Sequence, residues 1–154
     1  MPSRGTLLTC ITLASIGIAW AVGLMSALLA GISLVSTRVA ITVGVVLVAP
    51  AFLVSVPISM RIQWRRLAGD RPKPPTTLGY LPRAGTVLAV AAMLVFFALV
   101  ITASGALGGH RGSPEIRDGQ RVQRIVVGVI GWFAVGSVAI CGADVSRRRQ
   151  EADA

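Results

Sequence analysis

Three sets of residues in this chain are of types that can do chemistry. Ser104 and His110 lie six positions apart and could serve as a nucleophile and its base. Cys10 and Cys141 are the two thiols, and six acidic side chains supply any carboxylate pair. None of these sets is arranged for its reaction. A serine nucleophile needs a base that a third group orients, and the Gly-rich stretch around His110 is a poor holder for a ring. One His and two Cys fall short of the usual ligand count for zinc or haem. No carboxylate pair falls inside an apolar run, there is no Cys-x-x-Cys, and no Gly-rich loop leads into Lys-Ser or Lys-Thr. The residues therefore predict no catalytic group, no bound cofactor and no metal, and the chain is expected not to be an enzyme.

The elements that would position any site are easier to read. Four stretches contain no Asp, Glu, Lys, Arg or His: between Arg4 and Arg38, Arg38 and Arg61, Arg83 and His110, and Arg124 and Asp144. A hydrocarbon core of about 30 Å takes about 20 apolar residues as a helix, so each stretch is long enough to cross. The expected spans cover about 6–31, 39–60, 84–104 and 125–143. A basic loop at 61–83, a Gly-rich loop at 105–124 and a charged, solvated tail at 144–154 accompany them. The fold class is all-α: a polytopic membrane protein, one domain over 1–154, built as an antiparallel bundle of four transmembrane helices. Pro50 falls inside the second span and should kink it. The first apolar run continues well past the 7–15 residues of a cleavable signal core, so it reads as an uncleaved span.

Charge supports the same picture. The chain is 54% hydrophobic and only 14% charged, with a net charge of +9. A basic excess can mark a nucleic-acid partner, but here the cations sit at the ends of apolar runs, where cytoplasmic loops collect them. No nucleic acid is expected. Ten Lys and Arg fall on the side that holds both termini and the 61–83 loop, and five on the other. That bias places both termini in the cytoplasm. Fourteen of the fifteen basic residues are Arg, and Ala, Val and Gly abound, a composition typical of high-GC bacterial coding. The expected location is the bacterial inner (plasma) membrane, as a multi-pass protein.

Two features remain that could carry specificity. Ser15, Ala19, Gly23, Ala27 and Gly31 recur every four residues, a small-residue ladder that lets helices approach closely. It can serve packing within the bundle or an interface with another membrane protein or a second copy of the chain. A four-residue step overshoots one turn by about 40°, so only part of the ladder can meet a straight partner. The second feature is the basic loop. Arg61, Trp64, Arg65 and Arg66 look like a helical extension lying in the headgroup layer, followed by Arg71, Lys73 and a Pro-rich segment. These residues are candidates for contact with anionic lipid headgroups, at about 1 kcal/mol per well-placed cation, or with a cytoplasmic partner. Trp20 and Trp132 fall near the middle of their spans, where an indole N–H seeks an acceptor, so a mutual contact or a hydroxyl partner is expected.

The reading that these residues favour is a non-catalytic accessory, assembly or modulatory subunit working through helix packing and its basic loop. The alternative is a self-associating pore, holin-like, or a small transport protein. An ionisable residue inside a span usually marks transport, and the four spans contain none.

Overall fold

Each charge-free run contains a helix in the structure, a computed structural model that describes residues 3–30, 32, 34–68, 77–103 and 114–152. Helix α1 spans Arg4–Leu29, α2 Thr37–Leu67, α3 Arg83–Ala103 and α4 Pro114–Ala152, with a 3-10 turn at Thr77–Tyr80 before α3. Serines start the first two. Ser3 Oγ accepts from the Thr6 amide at 3.1 Å and Ser36 Oγ from the Val39 amide at 3.4 Å, which satisfies one orphan donor at each N-terminus. Helix α2 runs through both Pro50 and Pro57. All four helices are long and apolar enough to cross a membrane.

Two boundaries differ from those read off the sequence. Helix α4 begins at Pro114, eleven residues before the expected span, and runs on through Gly119. Proline suits the first helical position because its missing N–H would have no partner there. The turn signal at Asp118-Gly119 costs a helix only about 1 kcal/mol relative to Ala, which the packing of a long helix overrides. At the other end α4 continues to Ala152, so the tail is helical and part of it is buried. At 39 residues and 1.5 Å each, α4 is about 58 Å long. That is nearly twice the hydrocarbon thickness.

Helix α4 is the centre of the arrangement: α1, α2 and α3 each pack against it, and α1 and α2 also pack against each other. The α1 seam has a clear rule. Leu7, Cys10, Ala14, Gly17, Ala21, Leu24 and Leu28 are all buried, and they step by three and four residues alternately. That is the heptad spacing, which keeps a seam on one face of a helix. On α2 the buried positions Ala40, Gly44, Val48, Ala51, Ser55, Ile58 and Ile62 follow nearly the same rule. Small residues set the close approaches. A Cβ at Gly17 would stand 2.9 Å from Val48 Cγ2 on α2 and 4.0 Å from Ala134 Cβ on α4. A Cβ at Gly131 would run into the ring of Phe96, the one buried side chain among the described residues of α3.

The outer faces are greasy. Leu8 and Ile16 on α1, Val46 and Leu53 on α2, and Val87, Leu88, Leu94 and Val95 on α3 are each at least half exposed. A continuous apolar surface of this extent is not left to water in a soluble monomer.

Candidate functional site

The residues that could carry function lie at four places on this scaffold. The first is the ladder. Ser15, Ala19 and Gly23 face outward and are exposed, and Ala27 is half-buried, while Gly31 lies outside the described residues. A Cβ at Gly23 would meet nothing within 4 Å. The helix contacts inside the bundle use Gly17, Gly44, Gly128 and Gly131 instead, each with a neighbouring side chain where a Cβ would go. The four-residue step makes the ladder drift off the buried seam, and the seam itself uses Ala14, Gly17 and Ala21. The sequence signal for it was the alternation of three and four, partly hidden because both faces of α1 are apolar.

The second place is the end of α2. Arg61 is exposed and Trp64 is 75% exposed, on a helix that reaches Leu67. The backbone of Arg65 and Arg66 is helical, and Arg71 and Lys73 lie outside the described residues. Beside this end, the 3-10 turn docks on the bundle, where Tyr80 packs with the cluster of Leu7, Cys10, Ile58, Ile62 and Cys141.

Both ends of α4 hold polar groups that sequence reasoning placed in solvent. Near its start, Arg124 Nη2 donates to the Leu28 carbonyl at 2.8 Å, and Gln123 Nε2 donates to the Val35 carbonyl at 2.7 Å. The last carbonyls of a helix lack intrahelical donors, and a cation there also meets the negative end of the helix dipole. Arg124 thus closes α1 from a neighbouring helix. We expect Arg124→Ala to lower stability by about 1–2 kcal/mol, read by thermal unfolding in detergent, with amide-exchange protection lost first around residues 28–35. Full protection there in the variant would show that Arg124 is not the cap.

At the far end of α4, Asp144 is 2% exposed and accepts from two arginines. Arg147 Nη2 donates to Oδ1 at 2.7 Å, and Arg148 Nε to Oδ2 at 2.8 Å. Arg147 Nη1 reaches Glu151 Oε1 at 2.8 Å. These are i,i+3 and i,i+4 spacings on one helix, the geometry in which side chains meet. The expected solvated tail is therefore a folded ion network, because the helix carries its charges back against the bundle instead of releasing them.

The fourth place is a cleft beside α4. Trp132 meets Phe133 edge-on with centroids 5.4 Å apart, and Phe133 meets Phe52 at 5.1 Å. Trp132 does not stack on Trp20, whose buried indole nitrogen has no partner. The expected pairing of the two indoles fails because they point to different neighbours. Trp132 and Phe133 line a cleft of about 370 Å³ that also involves Ser55, Ser59, Gln63 and Ser137. Cys10 and Cys141 are buried free thiols in one core cluster, and Cys10 Sγ lies 3.9 Å from the Pro50 carbonyl. Ser104 and His110 lie outside the described residues.

Four packed apolar helices, lipid-facing surfaces and polar groups gathered at the helix ends define a small polytopic membrane protein, multi-pass and in contact with a lipid bilayer. Comparison with known proteins finds no matching family model, no matching curated protein and no matching solved structure.

Proposed function

We propose that the protein is a non-catalytic accessory subunit of a bacterial plasma membrane. It engages a second membrane protein, or a second copy of itself, through the outward face of α1. The observation that carries this reading is the position of Ser15, Ala19 and Gly23. They form the small-residue face that helices use for close approach, yet the bundle leaves them exposed. Packing inside the chain is met by other glycines, so intramolecular fit does not account for the ladder. Both termini lie in the cytoplasm in this reading, with Arg61, Trp64, Arg65, Arg66, Arg71 and Lys73 at the inner leaflet to meet anionic headgroups or a partner. The inward bend of Arg124 onto Leu28 supports that orientation, since one of the five basic residues on the poorer side has an internal task.

The test is Gly23→Leu. With nothing within 4 Å of the site, the variant should fold and melt as the parent does, while crosslinked oligomers or co-purified partners are lost. An unchanged oligomeric and partner-bound state would remove the α1 face from consideration. The same face, if self-complementary, would also build a homo-oligomeric pore. Induced expression separates the two: loss of membrane potential supports the pore, and harmless accumulation supports the accessory subunit.

A further inference from the structure

Two depressions run in line along α2 and α4 and share the Phe52–Phe133 contact. The one toward Gly44 holds about 290 Å³ and is lined only by glycine and apolar side chains, among them Val48 and Ile130. The one toward Gln63 holds about 370 Å³, carries Ser55, Ser59, Gln63 and Ser137 beside Trp132, and is bordered by Met93 of α3. Among the described residues, none that lines either depression is charged. One end thus suits an uncharged polar group and the other a hydrocarbon tail.

Ser137 sets the chemistry of the polar end. Hydroxyls in apolar helices commonly return their proton to a carbonyl one turn back. Thr9, Thr12, Ser26, Thr42, Ser55 and Thr102 all do so here. Ser137 does not. It is 2% exposed and its hydroxyl has no partner, an uncompensated cost that a bound acceptor would relieve. Its depth restricts what that acceptor can be. The charge-free run between Arg124 and Asp144 centres on Ala134, so Ser137 stands three residues from the middle, about 4.5 Å at 1.5 Å per residue. The edge of the hydrocarbon layer is about 15 Å from its centre. The ester carbonyls of bilayer lipids belong at that edge and do not reach Ser137. A carbonyl carried within the hydrocarbon layer does.

We propose that this cleft binds the ring of a prenylated quinone. The ring lies against Trp132 and Phe133, and a ring carbonyl accepts a hydrogen bond from Ser137 Oγ. The first isoprene units continue past Phe52 into the apolar depression toward Gly44. In this proposal Ser137, which lines the cleft, changes its staggered rotamer to bring the hydroxyl to the ring. At about 30 Å³ per water-sized group, the polar cleft takes about a dozen heavy atoms, the size of a substituted benzoquinone. This inference is independent of the α1 face and concerns binding alone.

The test uses the full chain in nanodiscs and decylubiquinone as the probe, followed by tryptophan quenching. Saturable quenching is expected, and most of it should disappear in Trp132→Phe. Ser137→Ala should weaken binding about 5- to 10-fold. Gly136→Leu, where a Cβ would meet only Met93 Cε at 3.8 Å, should fill the cleft and abolish saturation. Non-saturable quenching overturns the proposal, as does equal affinity in folded Ser137→Ala and Gly136→Leu. Equal competition by phospholipid also overturns it and makes the cleft a lipid groove. A photoreactive quinone on the parent protein gives a check that needs no variant: labelling on α2 and α4 around Phe52 and Trp132 supports the site, and labelling elsewhere refutes it.

Discussion

Asp144→Ala should destabilise the bundle by about 3 kcal/mol, the largest effect expected of any single side-chain truncation at the helix ends. Asp144 pairs with Arg147 through one carboxylate oxygen and with Arg148 through the other. The side chains of Asp144 and Arg147 are 3% and 11% exposed. Removing one partner of a buried pair leaves the other charge uncompensated, which costs about 3–5 kcal/mol in well-buried cases. The lower end applies here because Arg148 is 30% exposed and can turn to water. Arg147 keeps Glu151, but that carboxylate is 58% exposed and holds its partner weakly. Unfolding in a graded denaturing detergent reads the effect. The informative comparison is Asp144→Leu with Arg147→Leu and Arg148→Leu together. Replacing a buried ionic group by apolar residues is often neutral, so the triple variant should recover most of the loss. An Asp144→Ala protein as stable as the parent would show that the network is a surface ornament.

Gly131→Leu should cost about 2–3 kcal/mol and loosen α3 specifically. The Phe96 ring occupies the space that any side chain at residue 131 would need. Overfilling a packed site commonly costs about 1–3 kcal/mol, and a ring against helix backbone has little freedom to move aside. Gly128 adds a second tight point, with Val100 Cγ2 only 2.6 Å from where its Cβ would stand. Because α3 packs on no other long helix among the described residues, it has no second such support when this contact fails. Faster amide exchange across α3 than across α1 and α2 would report the detachment. Combining Gly131→Leu with Phe96→Ala exchanges large for small across the same contact and should restore part of the stability. No recovery would mean that Gly131 matters for some reason other than the ring.

Which parts of this were legible beforehand follows from how charge and periodicity work in a lipid-facing chain. The four helices were readable because Arg4, Arg38, Arg61, Arg83, His110, Arg124 and Asp144 bound four uncharged runs. The buried faces were not, since Leu8 and Leu7 are equally apolar and only one of them faces the core. In a soluble helix polar residues would mark the outside; here lipid takes that role and erases the contrast. The ladder drew notice through its regular step of four, whereas the working seam alternates three and four through Ala14, Gly17 and Ala21. The charges at Asp144, Arg147, Arg148 and Glu151 already had helical spacing. A hydropathy boundary at Ala143 hid it, because the end of an apolar run is not the end of a helix. Arg124 on the Leu28 carbonyl joins residues 96 positions apart, and no local pattern foretells such a contact.

The order of the helices along the chain has a consequence for how the protein is made. The helix against which the other three pack is the last of the four to be translated. While α1, α2 and α3 enter the membrane, only α1 and α2 have one another, and α3 must wait alone with Phe96 turned to lipid. The arrival of α4 supplies the grooves at Gly128 and Gly131, the Arg124 latch on α1 and the ion network in a single event. A ribosome stalled before residue 114 would leave three inserted helices and no bundle. Commitment to the folded state therefore waits for α4, and membrane proteases have until then to recognise a chain without it.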